Sequence, residues 1–550
     1  MTSGPPRRPS LRFPAQPHLK LDPGCVVSYC PIASSLGARV LHDGGNAVDA
    51  AVATGLALTI TYPQAGNIGG GGFMLIHDAG SVHFLDYRER APRLAVPELY
   101  DDEGSDTAKS ALGALAVAVP GTVAGFAEAH AKFGKKPWRE IVELVVPLAE
   151  HGTWLTTRQS STMRLYSEAL KRFESTRRYY FTADGEVIPP GTRFVQADLG
   201  KTLRVIAEQG ARAFYEGEIA DLIVGQMQRS GGVLDHEDLA SYRPIWRQPM
   251  CRRYRDHEVY LPGMPSAGGL VASFALACAE AMDVTSLRYG SPQWVLTWAR
   301  IFRAAFSFAN HEVGDPDHLP APDVAAVLAT AARELTREEL AQLEATLLPT
   351  EVPIGDAAAA VRSSTTHFSI IDRDGMAVSN TYSVNTLFGS KLIVDGAGFM
   401  LNNTIADFRI SSGPNWYGLL QGERNRLAPY RRPASSMTPV IVLRDGQITM
   451  AIGGSGGPRI PTAIAQVTSA VIGRGLSLSD AVRRPRVHHQ LFPEDVVLEK
   501  GFSKNTVAQL EKAGYKIGVV NALGMVAAIR RRLDTNDISA VLDQRFGDFW

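Results

Sequence analysis

The stretch Thr365-Thr366-His367-Phe368-Ser369-Ile370-Ile371-Asp372 decides how this chain reads. Its β-branched and aromatic residues predict a strand. It follows a loose, alanine-rich run, 356–364, and the wider segment 349–362 has no period and reads as a connecting loop. A second strand-like run, 376–382, comes after Asp374-Gly375, a dipeptide that favours a tight hairpin. Beyond it stand Tyr382-Ser383-Val384-Asn385, Asn402-Asn403 with Asp407, Ser435-Ser436 and Gly453-Gly454-Ser455-Gly456-Gly457. A hydroxyl at the head of a buried strand, followed by hydroxyls, amides, a carboxylate and glycines, has the parts of an amide-cleaving site except a base. A cut before Thr365 would supply one. The freed α-amine has a pKa of about 7.7–8.0, so part of it is neutral at pH 7. It can take the hydroxyl proton, which makes one residue both nucleophile and base. Thr365 and Thr366 alone would read as ordinary strand residues; the clusters around them point to chemistry.

Working outward, the runs 440–443 and 448–452 flank Asp445-Gly446 as a second hairpin, and helical periods cover 460–472 and 503–513. Upstream, 32–41 is an amphipathic helix. Asn46 can cap a second helix over 47–61, with Asp49 at its positive end, and this one is apolar on all sides. Four glycines, Gly69 to Gly72, precede a hairpin of 73–77 and 82–86 around Ala79-Gly80. From about 116 to 345 the pattern predicts mainly helix, broken at Pro120-Gly121, Gly231-Gly232 and Gly268-Gly269, with 333–344 as a charged, solvated helix. Strands arranged as hairpins before and behind helices predict an α+β fold, stacked antiparallel sheets covered by helices.

At 550 residues the chain exceeds one ordinary core, which favours two or more domains. A net charge of zero argues against a nucleic-acid partner or a polybasic membrane contact. Cys25, Cys30, Cys251 and Cys278 have no C-x-x-C spacing, so a reducing compartment is expected rather than a disulfide framework. No H-E-x-x-H or Cys/His set predicts a metal, and no cofactor is expected. The first residues carry Arg7, Arg8 and several prolines without the apolar core of a secretory signal. No run reaches the ~18 apolar residues of a membrane helix. The expectation is a cytoplasmic protein with a flexible arm over 1–25 and no membrane contact.

Several ordered motifs resemble the small subunit of the γ-glutamyltransferase (γ-glutamyltranspeptidase) family. They are Thr365-Thr366-His367, Asp372-x-Asp374-Gly375, Phe388-Gly389-Ser390, Asn402-Asn403, Asp407-Phe408, Arg432-Pro433-x-Ser435-Ser436-Met437-x-Pro439 and Gly456-Gly457-x-Arg459. Upstream, the run 43–53, Gly69 to Gly72, Asp86-Tyr87-Arg88-Glu89 and Val119-Pro120-Gly121-Thr122-Val123 are similar to the family's other half, as are Pro485-Arg486 and His488-His489-Gln490 downstream. The likeness runs from about residue 26 to residue 545. It implies the N-terminal-nucleophile fold, an αββα sandwich of two stacked antiparallel sheets flanked by helices, in place of the separate domains that length favours. It also implies a precursor cut between Ser364 and Thr365. The large chain would cover 26–364 beyond the arm, and the small catalytic chain 365–550, the two interlocked in one unit.

On this resemblance Thr365 is the nucleophile and its amine the base. Ser383 stands for a threonine that hydrogen-bonds the nucleophile, and Gly456 and Gly457 offer backbone N–H groups to the oxyanion. The substrate is a γ-glutamyl amide such as glutathione, and the acceptor is water or an amino-acid or peptide amine. Arg88 would clamp the α-carboxylate, with Ser435 and Ser436 adding hydrogen bonds. Asp407 and Asn385 would hold the α-ammonium, with Thr404 where the family often has Gln or Glu. Tyr417, in Gly413-Pro414-Asn415-Trp416-Tyr417-Gly418, matches a lid loop. His367, His488 and His489 are expected to be packed histidines rather than bases. Thr404, Ala406, Asn310, the Ser28-Tyr29-Cys30-Pro31 run and the Asp543-Gln544-Arg545 ending depart from the family pattern, and they bear on the substrate more than on the chemistry. Two other readings stay open. One is a same-fold amidohydrolase or acylase of a biosynthetic or catabolic pathway with a different acyl donor. The other is an uncleaved, non-catalytic binding protein. A homo-oligomer is compatible with the sequence.

Overall fold

The computed structural model of the protein describes residues 19–20, 24–100, 108–334, 336, 338–339 and 363–545. The strands that matter here are β1 (Leu19–Lys20), β2 (Gly24–Ser28), β3 (Gly71–Asp78), β4 (Ser81–Tyr87), β5 (Ile245–Arg247), β6 (Met250–Tyr254) and β7 (His257–Leu261), then β8 (Ser363–Asp372), β9 (Ala377–Thr386), β10 (Val440–Arg444), β11 (Gln447–Ser455), β12 (Met525–Arg531) and β13 (Asp537–Leu542). They form two sheets, β1-β13-β12-β11-β10-β7-β6 and β2-β8-β9-β3-β4-β5, antiparallel at every pairing.

Alternation along the strands builds the layers. Ile441 and Leu443 of β10 turn to the core shared with the other sheet, while Val440 and Val442 turn to helices. Across the sheet-on-sheet interface Ser379 donates to the Ile452 carbonyl (3.0 Å) and accepts from the Val440 N–H (3.1 Å). The His367 ring fills the space that a side chain at Gly453 would need, since a Cβ there would lie 2.3 Å from it. The helix Ala47–Thr61, buried along its whole length, covers the outer face of the β8–β9 sheet, where Tyr382 donates to the Gly55 carbonyl (2.7 Å). The helices Ala267–Ala281 and Arg459–Thr468 cover the other sheet. The order is helix, sheet, sheet, helix, and the predicted hairpins β8–β9 and β10–β11 lie at its centre.

Asn46 and Asp49 form a full capping box on Ala47–Thr61, a device worth about 1 kcal/mol. Two readings need correction. Gly268-Gly269 does not break a helix; it lies in the first turn of Ala267–Ala281. Its glycines answer a close approach, since a Cβ at Gly269 would lie 1.9 Å from the Pro262 carbonyl oxygen and one at Gly268 2.3 Å from that of Ser436. The stretch 245–261, read as helical, is three strands; Met250, Arg252 and Tyr254 are buried and alternate with exposed Cys251 and Arg253, a period of two. The loop expected over 349–362, most of the helix expected over 333–344 and most of the arm expected over 1–25 lie outside the described residues. Among the described residues no helix is long and apolar enough to cross a membrane.

Candidate active site

Thr365 sits near the start of β8, buried, with its side chain on the face turned to the other sheet. The register of β8 with β9 slips at this point. Ser363 pairs with Thr386 and Thr365 with Ser383, so one residue on β8 faces two on β9. The extra residue is taken up by Val384 and Asn385. Asn385 has φ +80°, the left-handed conformation that a side chain rarely adopts, and the Val384 N–H leaves the ladder for the Ala65 carbonyl (3.1 Å). The bulge aims one hydroxyl at the Ser364–Thr365 peptide. Ser383 Oγ donates to the Ser364 carbonyl, accepts from the Asn385 N–H (2.8 Å), and lies 3.5 Å from Thr365 Oγ1, which donates to it. The Ser364 hydroxyl is tied back to the Gln64 carbonyl.

A cleft opens on this point. Thr365, Ser383, Asn385, Asp407, Tyr417, Ser435, Ser436 and Gly457 all line it, so most of the residues singled out in the sequence meet there. The other sheet contributes the chain turn after β11. Pro458 is the N-cap of Arg459–Thr468 and gives no side-chain cap. The N–H groups of Arg459 and Ile460 bond back to the carbonyls of Gly456 (3.3 Å) and Gly457 (2.9 Å), and Pro458 has none. The donors left at this positive helix end are those of the two glycines. Only Gly457 borders the cleft. Gly456 backs onto Gly524, whose Cα a Cβ would meet at 2.8 Å.

Three expected substrate contacts are arranged differently from a simple clamp. Arg88 lies behind the cleft wall, 1 % exposed, and spends its guanidinium on Glu89 (2.9 Å), on Asp407, and on the carbonyls of Pro433 (3.4 Å) and Ala434 (3.2 Å). Thr404 does not reach the cleft, because its hydroxyl donates to Glu89 Oε1 (2.9 Å). Asn385 Oδ1 accepts from the Tyr417 hydroxyl (2.6 Å) and its Nδ2 donates to the Asn403 carbonyl (3.0 Å), so Tyr417 is latched onto the bulge. Arg88 is one cation facing two buried carboxylates. Burial pushes Asp407 up to about 6 against the pull of Arg88, and burial raises Glu89 as well. Glu89 was not singled out in the sequence, although its place beside Arg88 was the available signal. Asn415, Leu419, Gln421, Ala434, Met437 and Ile460 also line the cleft; Asn415, Ala434 and Met437 fall inside motifs quoted above without a role of their own, and nothing in the local sequence marks the other three.

The histidines are held as packed groups. His367 bonds Thr381 and Ser369 (2.8 Å each) and His488 bonds Thr462 (3.0 Å) and Gln490 (2.9 Å). Burial pulls both rings down to about 3, so they stay neutral.

The family model for gamma-glutamyltranspeptidase matches residues 33–548. The glutathione hydrolase proenzyme of Escherichia coli is 38 % identical over 511 residues, covering 92 % of this chain and 88 % of that protein. The glutathione hydrolase proenzyme of Pseudomonas aeruginosa is 38 % identical over 522 residues, covering 92 % and 91 %. Among solved structures, a cephalosporin acylase from Bacillus halodurans superposes with a TM-score of 0.82 at 26 % identity, over 98 % of this chain and 97 % of that one. The Helicobacter pylori gamma-glutamyltranspeptidase gives a TM-score of 0.55 at 34 % identity, over 62 % and 95 %.

Proposed function

The chain belongs to the gamma-glutamyltranspeptidase family, and on that premise we propose that it cuts itself before Thr365 and then uses Thr365 to take the γ-glutamyl group from a glutathione-like donor, passing it to water or to an amino-acid or peptide amine. The observation that carries the reading is the bulge at 383–385, which brings the Thr365 hydroxyl, the Ser383 hydroxyl and the Ser364 carbonyl into one hydrogen-bonded set.

In self-cleavage Thr365 Oγ1 attacks the Ser364 carbonyl carbon while the Ser383 hydroxyl stabilises the charge growing on its oxygen. The C–N bond breaks, the nitrogen takes the proton that the Thr365 hydroxyl gave up and becomes the Thr365 amine, and water hydrolyses the ester. The products are a carboxylate on Ser364 and a free N-terminal threonine. In turnover that amine accepts the Thr365 hydroxyl proton, Oγ1 attacks the donor's γ-carbonyl, and the N–H of Gly457, with that of Gly456, receives the oxyanion. The protonated amine then gives its proton to the leaving nitrogen. Water or an acceptor amine repeats the sequence on the ester.

The donor's head enters between Arg88 and Asp407. Its α-carboxylate takes the place of Asp407 on Arg88, assisted by Ser435 and Ser436. Its α-ammonium takes the place of Arg88 on Asp407, beside Asn385. This exchange conserves charge, so no buried ion is left unpaired. The Tyr417 lid closes over the ester. The two chains, ending at Ser364 and starting at Thr365, stay joined because each sheet holds strands from both. β1, β6 and β7 pair in one sheet with β10 to β13, and β2 to β5 pair in the other with β8 and β9. None of the four cysteines forms a disulfide.

The test uses purified wild type and Thr365→Ala with γ-glutamyl-4-nitroanilide. Wild type should run as two chains and release nitroaniline, and the variant should stay full length and inert. Self-cleavage or turnover in Thr365→Ala would remove the assigned nucleophile. Because of the fold likeness to a cephalosporin acylase, a glutaryl amide belongs in the same screen; turnover of that donor alone would move the assignment to a different acyl head.

A further inference from the structure

We propose that Arg432 is a positioning residue for the end of the cleft that takes the donor's head, acting through a reciprocal clasp with Arg88; the inference rests on the γ-glutamyl reading above. Arg88 directly follows β4, and Arg432 directly precedes the segment that carries Ser435 and Ser436. Each guanidinium holds backbone of the segment that carries the other. Arg88 Nε and Nη2 donate to the carbonyls of Pro433 and Ala434, and Arg432 Nη1 donates to the carbonyl of Arg88 (2.9 Å). Backbone bonds flank the clasp, from the Ala91 N–H to the Arg431 carbonyl (2.8 Å) and from the Tyr430 N–H to the Ala91 carbonyl (3.1 Å). The distance between the Arg88 guanidinium and the two serines is therefore set by a closed loop of hydrogen bonds rather than by either segment alone.

Arg432 is 3 % exposed and does not line the cleft, so any effect on substrate passes through Arg88. Its fork spans several acceptors at once. Nη2 donates to the Arg243 carbonyl (2.6 Å), and Nη1 also reaches the Asp86 carboxylate and the Tyr242 hydroxyl (3.4 Å each). Asp86 supplies the countercharge and is shared with Arg247 (2.8 Å). The Tyr242 hydroxyl donates to the same Arg88 carbonyl (2.9 Å), and its ring lies under Arg432 at 5.3 Å. A lysine at 432 keeps the charge that Asp86 needs and loses the planar fork that holds Arg88. None of the partners of the Arg432 side chain lies on β8 or β9, so the self-cleavage machinery stands apart from the clasp.

The experiment compares wild type, Arg432→Lys and Tyr242→Phe. Small misplacements of a binding group cost up to about 10²-fold. Arg432→Lys should raise KM for γ-glutamyl-4-nitroanilide about tenfold and weaken inhibition by L-glutamate by the same factor. Its kcat and its extent of self-cleavage should stay within about threefold of wild type, because the nucleophile end is untouched. Tyr242→Phe, which removes one donor to the same carbonyl and keeps the ring, should shift KM the same way by a smaller factor and serves if the lysine variant does not fold. Unchanged KM and glutamate inhibition in an active, folded variant would overturn the clasp, as would losses of kcat and self-cleavage with KM constant. A wild type inert towards the anilide would instead sink the γ-glutamyl reading and this assignment with it.

Discussion

Removing the Ser383 hydroxyl tests the bulge directly. In Ser383→Ala three contacts go at once: the donor to the Ser364 carbonyl, the acceptor for Thr365 Oγ1 and the acceptor for the Asn385 N–H. The first loss acts on rate. A single oxyanion donor is worth about 10²–10³, or about 2.7–4 kcal/mol of barrier, so self-cleavage should slow by that factor. The third loss acts on stability. The Asn385 N–H is held within a buried bulge, and stranding it costs about 1–3 kcal/mol. Ser383→Thr keeps the hydroxyl and should process within about tenfold of wild type, which separates the chemical effect from any general disturbance of β9. The assay is a time course of intact mass on freshly purified precursor, with melting temperature measured on the same samples. A Ser383→Ala protein that matures at the wild-type rate would refute the argument that this hydroxyl activates the Ser364 carbonyl.

With Asp407 pushed up to about 6 by burial, kcat/KM for a γ-glutamyl donor should fall as pH drops through that value, because a protonated carboxyl cannot hold an ammonium; a profile flat from pH 7 to pH 5 would exclude this role. For stability the sign is reversed: the raised carboxyl favours the fold fully below its unfolded value of about 3.9, and that contribution is lost as pH rises through about 6. His367 and His488, pulled down to about 3, and His489, pulled down to about 4, act in the opposite sense. Their contribution is present above about 6.5 and lost as pH falls. Denaturant melts between pH 6 and pH 4 should therefore lose stability steeply, at up to about 4 kcal/mol per pH unit for the three rings; melts that do not change over this range would contradict the buried neutral state. Thr404→Val removes the donor to Glu89 Oε1 and should cost about 1–3 kcal/mol and weaken donor binding through Arg88; unchanged melting and KM would return Thr404 to a passive role. Gly457→Ala puts a side chain at φ +58° beside the oxyanion position and should cut turnover by about 10²-fold; full activity would move the oxyanion donor elsewhere.

What could be read from the chain alone was what neighbours along the chain decide. Asp445-Gly446 made a two-residue hairpin turn with both residues at positive φ, and Asp374-Gly375 closed a three-residue loop with Gly375 alone there, because tight turns need residues that tolerate unusual φ. Asn46 with Asp49 made a helix start because a side chain three residues away can satisfy the orphan N–H groups. The ordered clusters of hydroxyl, amide, carboxylate and glycine announced amide chemistry at Thr365. The rest depended on surfaces that meet only after folding. Gly268 and Gly269 looked like a break until the Pro262 and Ser436 carbonyls were found against them. The slip between β8 and β9, which turns Ser383 onto the Ser364 carbonyl, is a property of two strands in register and of neither by itself. Arg88 and Asp407 are 319 positions apart. Their residue types showed that each could bind one end of an amino-acid head. Only the tertiary structure set them against each other, with Glu89 behind and Arg432 holding the backbone, because a buried charge takes whichever opposite charge the fold brings within reach.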